Sequence, residues 1–199
     1  MLILVKSHIP AHRISQYKPT AARVEAGTIG IELQCREEKL RVFSYYCPKD
    51  KPLALEQMAV TRTACIVAGD FNSHSERWGY SATNARGNEV EEWEVDSSLF
   101  LVNQPEDPPT CYSRVHFTSS TPDLAFVSGD LMLRTTRTVQ EQLGGSDHRP
   151  VLLNVCNTSC PQKAPPMPRW NYKKADWEKF SLSTDEICGQ ASRTSDVKP

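Results

Sequence analysis

The sequence predicts an α/β sandwich in which two β-sheets pack face to face. Residues 64–68 form an unbroken apolar run, which is typical of a strand buried on both faces. Residues 28–33 and 40–46 alternate apolar with polar side chains and predict a hairpin. Apolar residues at helical spacing predict helices over residues 53–63 and 88–97. Strand and helix signals that alternate along a chain are typical of α/β folds.

Short apolar runs predict further strands, and a run rich in threonine and valine predicts a more exposed one. The apolar runs are residues 2–5, 99–102 and 151–155, and the threonine-rich run is residues 134–142. We expect the buried strands to be residues 40–46, 64–68, 123–127 and 151–155. In the helix over residues 88–97, Val90 and Trp93 are expected to face the core. Its solvated face is expected to carry Glu89, Glu91, Glu92 and Glu94.

The composition is that of an ordinary globular domain. With 199 residues, of which 39% are hydrophobic and 24% charged, the chain can form one domain with a core. A net charge of −1 provides no general basic field, so nucleic acid must be bound by a local arrangement of residues. The 7 cysteines are scattered, which favours reduced thiols. No apolar run has the length of a signal-peptide core or a membrane span. We therefore expect an intracellular monomer that does not bind membranes.

The character of the chain changes after residue 156. We expect one domain over residues 1–156, and a proline-rich linker and connector, partly disordered, over residues 157–199. Prolines in residues 157–168 cannot donate backbone hydrogen bonds, so proteases are expected to cut there first. Residues 169–180 predict a short helix or tethered segment, and no pattern from residue 181 onward predicts order.

The first candidate site residues directly follow the apolar run that ends at Gly69. If the chain stays extended, a period of two places Asp70 and Asn72 on one face, with Phe71 anchored on the other. Catalytic groups in α/β sheets commonly lie at such strand ends. The alternative is that Asp70 and Asn72 only form a turn, because both residue types favour turns.

Two further junctions carry polar side chains of the same kind. Asp123 begins an apolar strand, where a carboxylate requires a cation, a metal or hydrogen-bond donors. Asp147 and His148 lie in a tight polar turn before another strand, and the alternative for them is a surface turn. Loops of α/β folds collect at one edge, so these side chains can converge. Acids, an amide and a histidine around a divalent cation suit hydrolysis of a phosphate ester.

These motifs also resemble those of a known family, over nearly all of residues 1–180. The matching stretches are Gly69-Asp70-Phe71-Asn72, the strand of Asp123, Ser146-Asp147-His148, residues 73–79, residues 86–93 and Arg169-Trp170-Asn171. In order and rough spacing they resemble the endonuclease/exonuclease/phosphatase superfamily. Within it, the chain is most similar to the apurinic-type endonuclease domain of non-LTR retrotransposons of the jockey, R1 and trypanosomal L1-like kind.

The resemblance implies a fold and an activity. The fold would be DNase I-like, a four-layer α/β sandwich of two mixed sheets flanked by helices, here lacking its N-terminal strands. The activity would be Mg²⁺- or Mn²⁺-dependent nicking of one strand in a target-site DNA duplex, which leaves a 3′-hydroxyl for target-primed reverse transcription. A reverse transcriptase domain would be the partner in the full-length element, and the protein would be nuclear when it acts on DNA.

The resemblance also implies roles for single residues. Asp70 would orient or activate the attacking water, or protonate the leaving group, and would contribute to the metal site. Asn72 would hydrogen-bond the phosphate. Tyr46 matches a tyrosine that touches the phosphate; the alternative is an ordinary aromatic at a strand end. Lys49 stands where the family usually has an asparagine.

For the remaining junctions, Asp123 would orient His148, which contacts the scissile phosphate, and Asp147 would help to hold metal. The family pattern begins with a strand ending in Asn and a Gln-Glu-Thr-like motif whose Glu is a principal metal ligand. Both would precede Met1, and neither Glu25 nor Glu32 can replace that Glu. We therefore expect an N-terminally truncated domain with severely impaired activity. The alternatives are a catalytically inactive retroelement remnant and a related phosphatase.

Overall fold

The structure is a computed structural model that describes residues 1–14, 27–35, 38–58, 60, 63–141, 145–156 and 176–190. The chain divides into two compact units, Met1–Pro165 and Pro166–Pro199. The strands of the first unit are β1 (Ala11–Arg13), β2 (Gly27–Cys35), β3 (Glu38–Tyr46), β4 (Cys65–Asp70), β5 (Leu99–Leu101), β6 (Cys111–Ser113), β7 (Thr118–Ser120), β8 (Asp123–Ser128), β9 (Thr135–Val139) and β10 (Val151–Val155). Its α-helices are α1 (Ala85–Asp96) and α2 (Gly129–Met132).

The main sheet has six strands in the order β1-β2-β3-β4-β8-β5. β3 and β4 are parallel and the other neighbours are antiparallel, so the sheet is mixed. β2 and β3 form the predicted hairpin, in which Cys35 pairs with Glu38. β4 lies between β3 and β8, which explains why its sequence is an unbroken apolar run.

One face of the main sheet packs on α1 and the segment that follows β4. Phe71 is fully buried there, with its ring centroid 4.6 Å from that of Tyr45 and 5.4 Å from that of Phe126. Trp78 and Val90 complete this cluster. The prediction that Phe71 anchors the turn after β4 from behind is confirmed, and so is the inward orientation of Val90.

The other face of the main sheet packs on a two-stranded sheet formed by β9 and β10. Leu153 and Val155 contact the buried cluster that includes Ile66, Ala125 and Val127. The predicted face-to-face packing of two sheets is therefore confirmed. The prediction that residues 151–155 form a buried strand is wrong, because the side chains of β10 alternate and Leu152 is 56% exposed. Alternation leaves one face of this strand to solvent.

Two predicted elements near the start of the chain are absent from the described residues. Residues 2–5 form no strand, and Leu2 and Leu4 are 74% and 84% exposed. Residues 53–63 contain only a short 3₁₀ turn at Leu55–Gln57 in place of the predicted helix. Leu53, Leu55 and Met58 are nevertheless buried, so the apolar spacing reflects contact with the core and not a helical repeat.

Helix α1 begins three residues earlier than predicted, because Asn84 caps it by accepting a hydrogen bond from the Gly87 N–H. The prediction of a fully solvated glutamate face is wrong at Glu94, which is buried. Its carboxylate accepts from the Arg77 guanidinium and from the Leu101 N–H at 2.9 Å. A buried carboxylate needs such partners, and a helical periodicity cannot show them.

The second unit contains α3 (Trp177–Gln190), a helix that no sequence pattern from residue 181 onward indicates. Asp176 accepts a hydrogen bond from the Lys179 N–H at 3.0 Å, which satisfies a backbone donor in the first turn. The predicted linker over residues 157–168 and the predicted connector at Arg169 lie outside the described residues. None of the described helices has the length and apolar character needed to cross a membrane.

Candidate active site

Three of the predicted site residues form a row across the middle of the main sheet. Tyr46 at the end of β3 is in register with Asp70 at the end of β4. Asp70 is in turn in register with Asp123 at the start of β8. Residues that pair in a ladder project from the same face of a sheet. This row therefore lies on the face that β9 and β10 cover further along, where Ile66 and Ala125 pack against Leu153.

Sheet packing fixes the end of β4. A Cβ atom on Gly69 would lie 1.8 Å from the Tyr45 carbonyl oxygen, so only glycine fits between β3 and the turn. The condition that the chain stays extended through Asn72 is not met, because Asn72 has a left-handed φ of 46°. The Asn72 N–H donates to Asp70 Oδ1 at 2.9 Å. Asp70 and Asn72 therefore form a turn at the strand end while Asp70 keeps its place in the row, so the two alternatives are not exclusive.

Arg86 on α1 holds this turn from the opposite side. Its guanidinium donates to the carbonyl oxygens of Asn72 at 3.0 Å and Phe71 at 2.8 Å, and also to that of Lys51. The Asn72 side-chain amide donates to the Cys47 carbonyl at 3.1 Å. These bonds fix the orientation of the turn without using the Asp70 carboxylate.

His148 is bonded to Asp123. Its Nδ1 lies 2.8 Å from Asp123 Oδ2, and the Thr110 hydroxyl donates to the same oxygen at 2.6 Å. The turn that carries His148 is attached by the Tyr112 N–H, which donates to the Asp147 carbonyl at 2.8 Å, and by the Arg149 N–H, which donates to the Thr110 carbonyl at 2.7 Å. The partly exposed side chains of Asp70, Asp123 and His148 thus lie together, and we call this place the cleft.

The charges in this cleft perturb one another. Burial, and to a smaller extent the charge of Asp123, raise the pKa of Asp70 to about 6. Burial would lower the pKa of His148, but the Asp123 charge and hydrogen bond, together with Asp70 and Asp147, outweigh it and raise that pKa. Closely placed carboxylates and an imidazole with shifted pKa values are typical of catalytic sites.

The donors around the cleft fit a divalent cation. The negative charges of Asp70 and Asp147 both raise the pKa of His148, so both carboxylates lie near it. Carboxylate oxygens are the ligands that Mg²⁺ or Mn²⁺ prefers. Cys111, Asp147 and His148 also place one potential ligand atom each within 4.8 Å of one another. A thiol and an imidazole suit Zn²⁺ better than Mg²⁺. The site therefore offers the carboxylates of Asp70 and Asp147, and Asp147 also belongs to a mixed donor set with Cys111 and His148.

Thr110 and Arg86 also support the site, although no sequence pattern indicates either contact. Thr110 lies in a loop with no local motif, and it reaches Asp123 only because β8 passes beside that loop. Arg86 lies in one of the stretches that resemble the family, but its three carbonyl partners come from two separate loops. Both contacts depend on tertiary structure. Tyr46, by contrast, lies at the predicted strand end with its side chain partly exposed at the cleft.

Several solved structures share this fold. The endonuclease domain of TRAS1, a telomere-specific non-LTR retrotransposon, is 24% identical, with a TM-score of 0.64 over 75% of this chain and 70% of that one. A 3′ phosphatase, NExo, from Neisseria, bound to a product DNA hairpin, is 16% identical, with a TM-score of 0.52 over 73% and 70%. The inositol polyphosphate 5-phosphatase domain of a synaptojanin, in complex with an inositol bisphosphate and calcium, is 14% identical, with a TM-score of 0.52 over 92% and 61%.

These similarities show that the chain has the DNase I-like α/β fold of the endonuclease/exonuclease/phosphatase superfamily, as predicted. No match was found among curated proteins. The family described as endonuclease-reverse transcriptase matches residues 40–152, which is more than half of the chain and spans every residue of the candidate site from Tyr46 to His148. The chain therefore belongs to the endonuclease-reverse transcriptase family, a branch of the superfamily whose fold it shares.

Proposed function

We propose that this protein is a metal-dependent DNA endonuclease that hydrolyses one phosphodiester bond of a target duplex. The observation that carries the proposal is the Asp123–His148 pair, with Nδ1 and Oδ2 2.8 Å apart, beside Asp70 in the row at the strand ends. The family match and the fold shared with the TRAS1 endonuclease domain support this activity over other phosphate chemistry.

In this mechanism, His148 binds the scissile phosphate. Asp123 fixes the His148 ring and favours its protonated form, so the imidazolium can donate a hydrogen bond to a phosphate oxygen. The Thr110 hydroxyl occupies the shared Asp123 oxygen and limits its rotation. Asn72, whose amide is oriented by Cys47, and Tyr46 supply further donors to the phosphate.

Asp70 is placed to move a proton. In the metal-free protein the pKa of Asp70 is raised to about 6, and this carboxylate would accept a proton from the attacking water or return one to the leaving oxygen. Water adds to phosphorus and the bond from phosphorus to the 3′-oxygen breaks, which leaves a 3′-hydroxyl and a 5′-phosphate. Asp70 and Asp147 would hold Mg²⁺ or Mn²⁺, which would supply positive charge to the phosphate oxygens.

We also propose that turnover is slow. Three carboxylates lie near enough to raise the pKa of His148, namely Asp70, Asp123 and Asp147. Asp123 is hydrogen-bonded to His148 and Thr110, which leaves Asp70 and Asp147 for the metal. The family resemblance implies a further glutamate ligand, and a site held by Asp70 and Asp147 alone would leave more of the Mg²⁺ coordination to water and the substrate phosphate. In the full-length element the nick would prime a linked reverse transcriptase, which would place the protein in the nucleus.

Relaxation of supercoiled plasmid by the purified chain, with Mg²⁺ titrated from EDTA to saturation, tests the proposal. We expect metal-dependent conversion to open circles that is lost in His148→Ala and Asp70→Asn. Matched controls are His12→Ala and Asp96→Asn, which change exposed residues outside the cleft. Nicking that persists in both site variants would contradict the proposal. A wild-type chain that never nicks would favour an inactive remnant, and one that hydrolyses only phosphomonoesters would favour a phosphatase.

A further inference from the structure

Beside the candidate active site, the rings of His74 and Tyr80 form a stacked pair. Their centroids are 4.0 Å apart and the ring planes differ by 9°. Tyr80 is partly buried against the core, whereas His74 is exposed. One ring of the pair is thus anchored in the protein and the other is accessible from solvent.

The anchored ring connects the pair to the strand that carries Asp123. The Tyr80 hydroxyl accepts a hydrogen bond from the Thr121 N–H at 3.1 Å, two residues before Asp123. Burial raises the pKa of Tyr80, and the charge of Asp70 contributes to the same shift. The stacked pair therefore lies at the rim of the cleft, close to the row that contains Asp70.

The backbone of His74 is held firmly against the start of α1. The His74 N–H donates to the Asn84 side chain at 3.2 Å, and the Asn84 N–H donates to the His74 carbonyl at 3.0 Å. A Cβ atom on Gly87 would lie 1.9 Å from that carbonyl oxygen, so glycine is required for this approach. An exposed imidazole is therefore held in a fixed position, which reduces the entropy lost when a ligand stacks on it.

The surroundings of His74 suit part of a nucleic acid. Partial desolvation by neighbouring residues, and to a smaller extent the charge of Lys49, lower the pKa of His74, so the ring is neutral at physiological pH. A neutral planar ring next to an exposed lysine offers a face for a base and a charge for a phosphate. Stacking of bases on aromatic side chains is largely independent of sequence.

We propose that His74, supported by Tyr80, is a stacking subsite for an unpaired nucleobase next to the scissile phosphate, with Lys49 contacting the neighbouring phosphate. This inference rests on the proposed endonuclease function, because it identifies the substrate as DNA with a locally unstacked base. His74 is in this proposal a binding residue and takes no part in the chemical step.

The test measures binding in EDTA, where no hydrolysis occurs. The probe is a DNA duplex with one bulged 2-aminopurine, whose fluorescence falls when it stacks on an aromatic ring. We expect quenching by the wild type and by His74→Trp, and about 10-fold weaker binding with no quenching for His74→Ala. The matched probe carries a bulged abasic site, and its affinity should be unchanged in His74→Ala.

Equal loss of affinity for both probes in His74→Ala would overturn the proposal, because it would show a purely structural role for the ring pair. Unchanged quenching in His74→Ala would overturn it as well. Failure of the subsite and failure of the proposed function are distinguishable. Plasmid nicking by a chain that shows no His74-dependent quenching would remove only the subsite, and base-dependent quenching by a chain that does not nick would remove only the endonuclease.

Discussion

The strand junction that carries Asp70 and the turn that carries His148 meet in one cleft, but different interactions hold them. The junction is fixed by ladder pairing on both sides of β4 and by the fully buried ring of Phe71. The turn directly precedes β10 of the β9–β10 sheet, and Asp147 in this turn is exposed. A few polar contacts attach it, chiefly the Asp123–His148 pair. Burial therefore positions Asp70 and Asp123, whereas hydrogen bonds position His148.

Of the substitutions that test this comparison, Phe71→Ala should have the largest effect on stability. Removing a fully buried aromatic ring typically costs about 3–5 kcal/mol of unfolding free energy, and here it removes contacts with Tyr45, Trp93 and Phe126. Chemical denaturation should show this loss. Phe117→Ala, at a ring that is 80% exposed, and Leu152→Ala on β10 should each change stability by about 0.5 kcal/mol or less. If Leu152→Ala lost as much unfolding free energy as Phe71→Ala, the β9–β10 sheet would be as well packed as the junction.

Arg86→Met should have the next largest effect. The variant leaves the carbonyl oxygens of Phe71 and Asn72 without the guanidinium, and hydrogen bonds to a charged group contribute about 1.5–3 kcal/mol. We expect a loss of about 2–3 kcal/mol in unfolding free energy, together with reduced nicking, because the Asp70 turn loses its support. Arg114→Met changes an exposed arginine and serves as the control. Full stability in Arg86→Met would show that burial alone holds the turn.

The two regions should also differ in metal preference. Asp147 and His148 of the turn lie next to Cys111 of β6, so Zn²⁺ should bind there and inhibit Mg²⁺-dependent nicking. Cys111→Ser should raise the inhibitory Zn²⁺ concentration by roughly 10-fold, whereas Cys156→Ser, at an exposed thiol, should not. Titration with Co²⁺, which gives an absorption band when a thiolate binds, reports the site independently of activity. Absence of that band in the wild type would exclude Cys111 as a ligand.

The smallest effect expected is a gain in stability from Asp70→Asn. Because the pKa of Asp70 is raised from 3.8 to about 6 in the fold, its favourable contribution is complete below pH 3.8 and is lost as pH rises through 6. At neutral pH the ionised carboxylate therefore destabilises the metal-free protein. After allowance for its partial exposure, we expect Asp70→Asn to gain about 1 kcal/mol near pH 7.5 in EDTA and little near pH 4.5. Melting temperatures across this range measure it, and a gain independent of pH would contradict the assignment.

Sequence patterns predicted the parts of the molecule that depend on local order along the chain. The apolar run of β4, the β2–β3 hairpin and the strand that begins at Asp123 are all encoded in consecutive residues, so their ends could be predicted to carry the candidate site. The structure then shows how Asp70 and Asp123 come together, through the register of β4 and β8.

What could not be predicted depends on tertiary contacts. Glu94 appeared solvated because helical periodicity does not show that Arg77 lies beside it. Residues 53–63 have apolar spacing that suits a helix, but their side chains reach the core from an irregular segment. The roles given to the site residues come from family resemblance and remain predictions, as does the boundary after residue 156; these residues are Tyr46, Asp70, Asn72, Asp123, Asp147 and His148.

The central claim is that Asp123 acts through His148, so that the junction and the turn form one catalytic unit. A double-mutant cycle in plasmid nicking at saturating Mg²⁺, under single-turnover conditions, tests this most directly. Asp123→Asn and His148→Ala should each slow nicking by about 10²–10³-fold, and the double variant should be no slower than His148→Ala alone. If the two losses instead multiply in the double variant, Asp123 and His148 act independently and the claim is wrong.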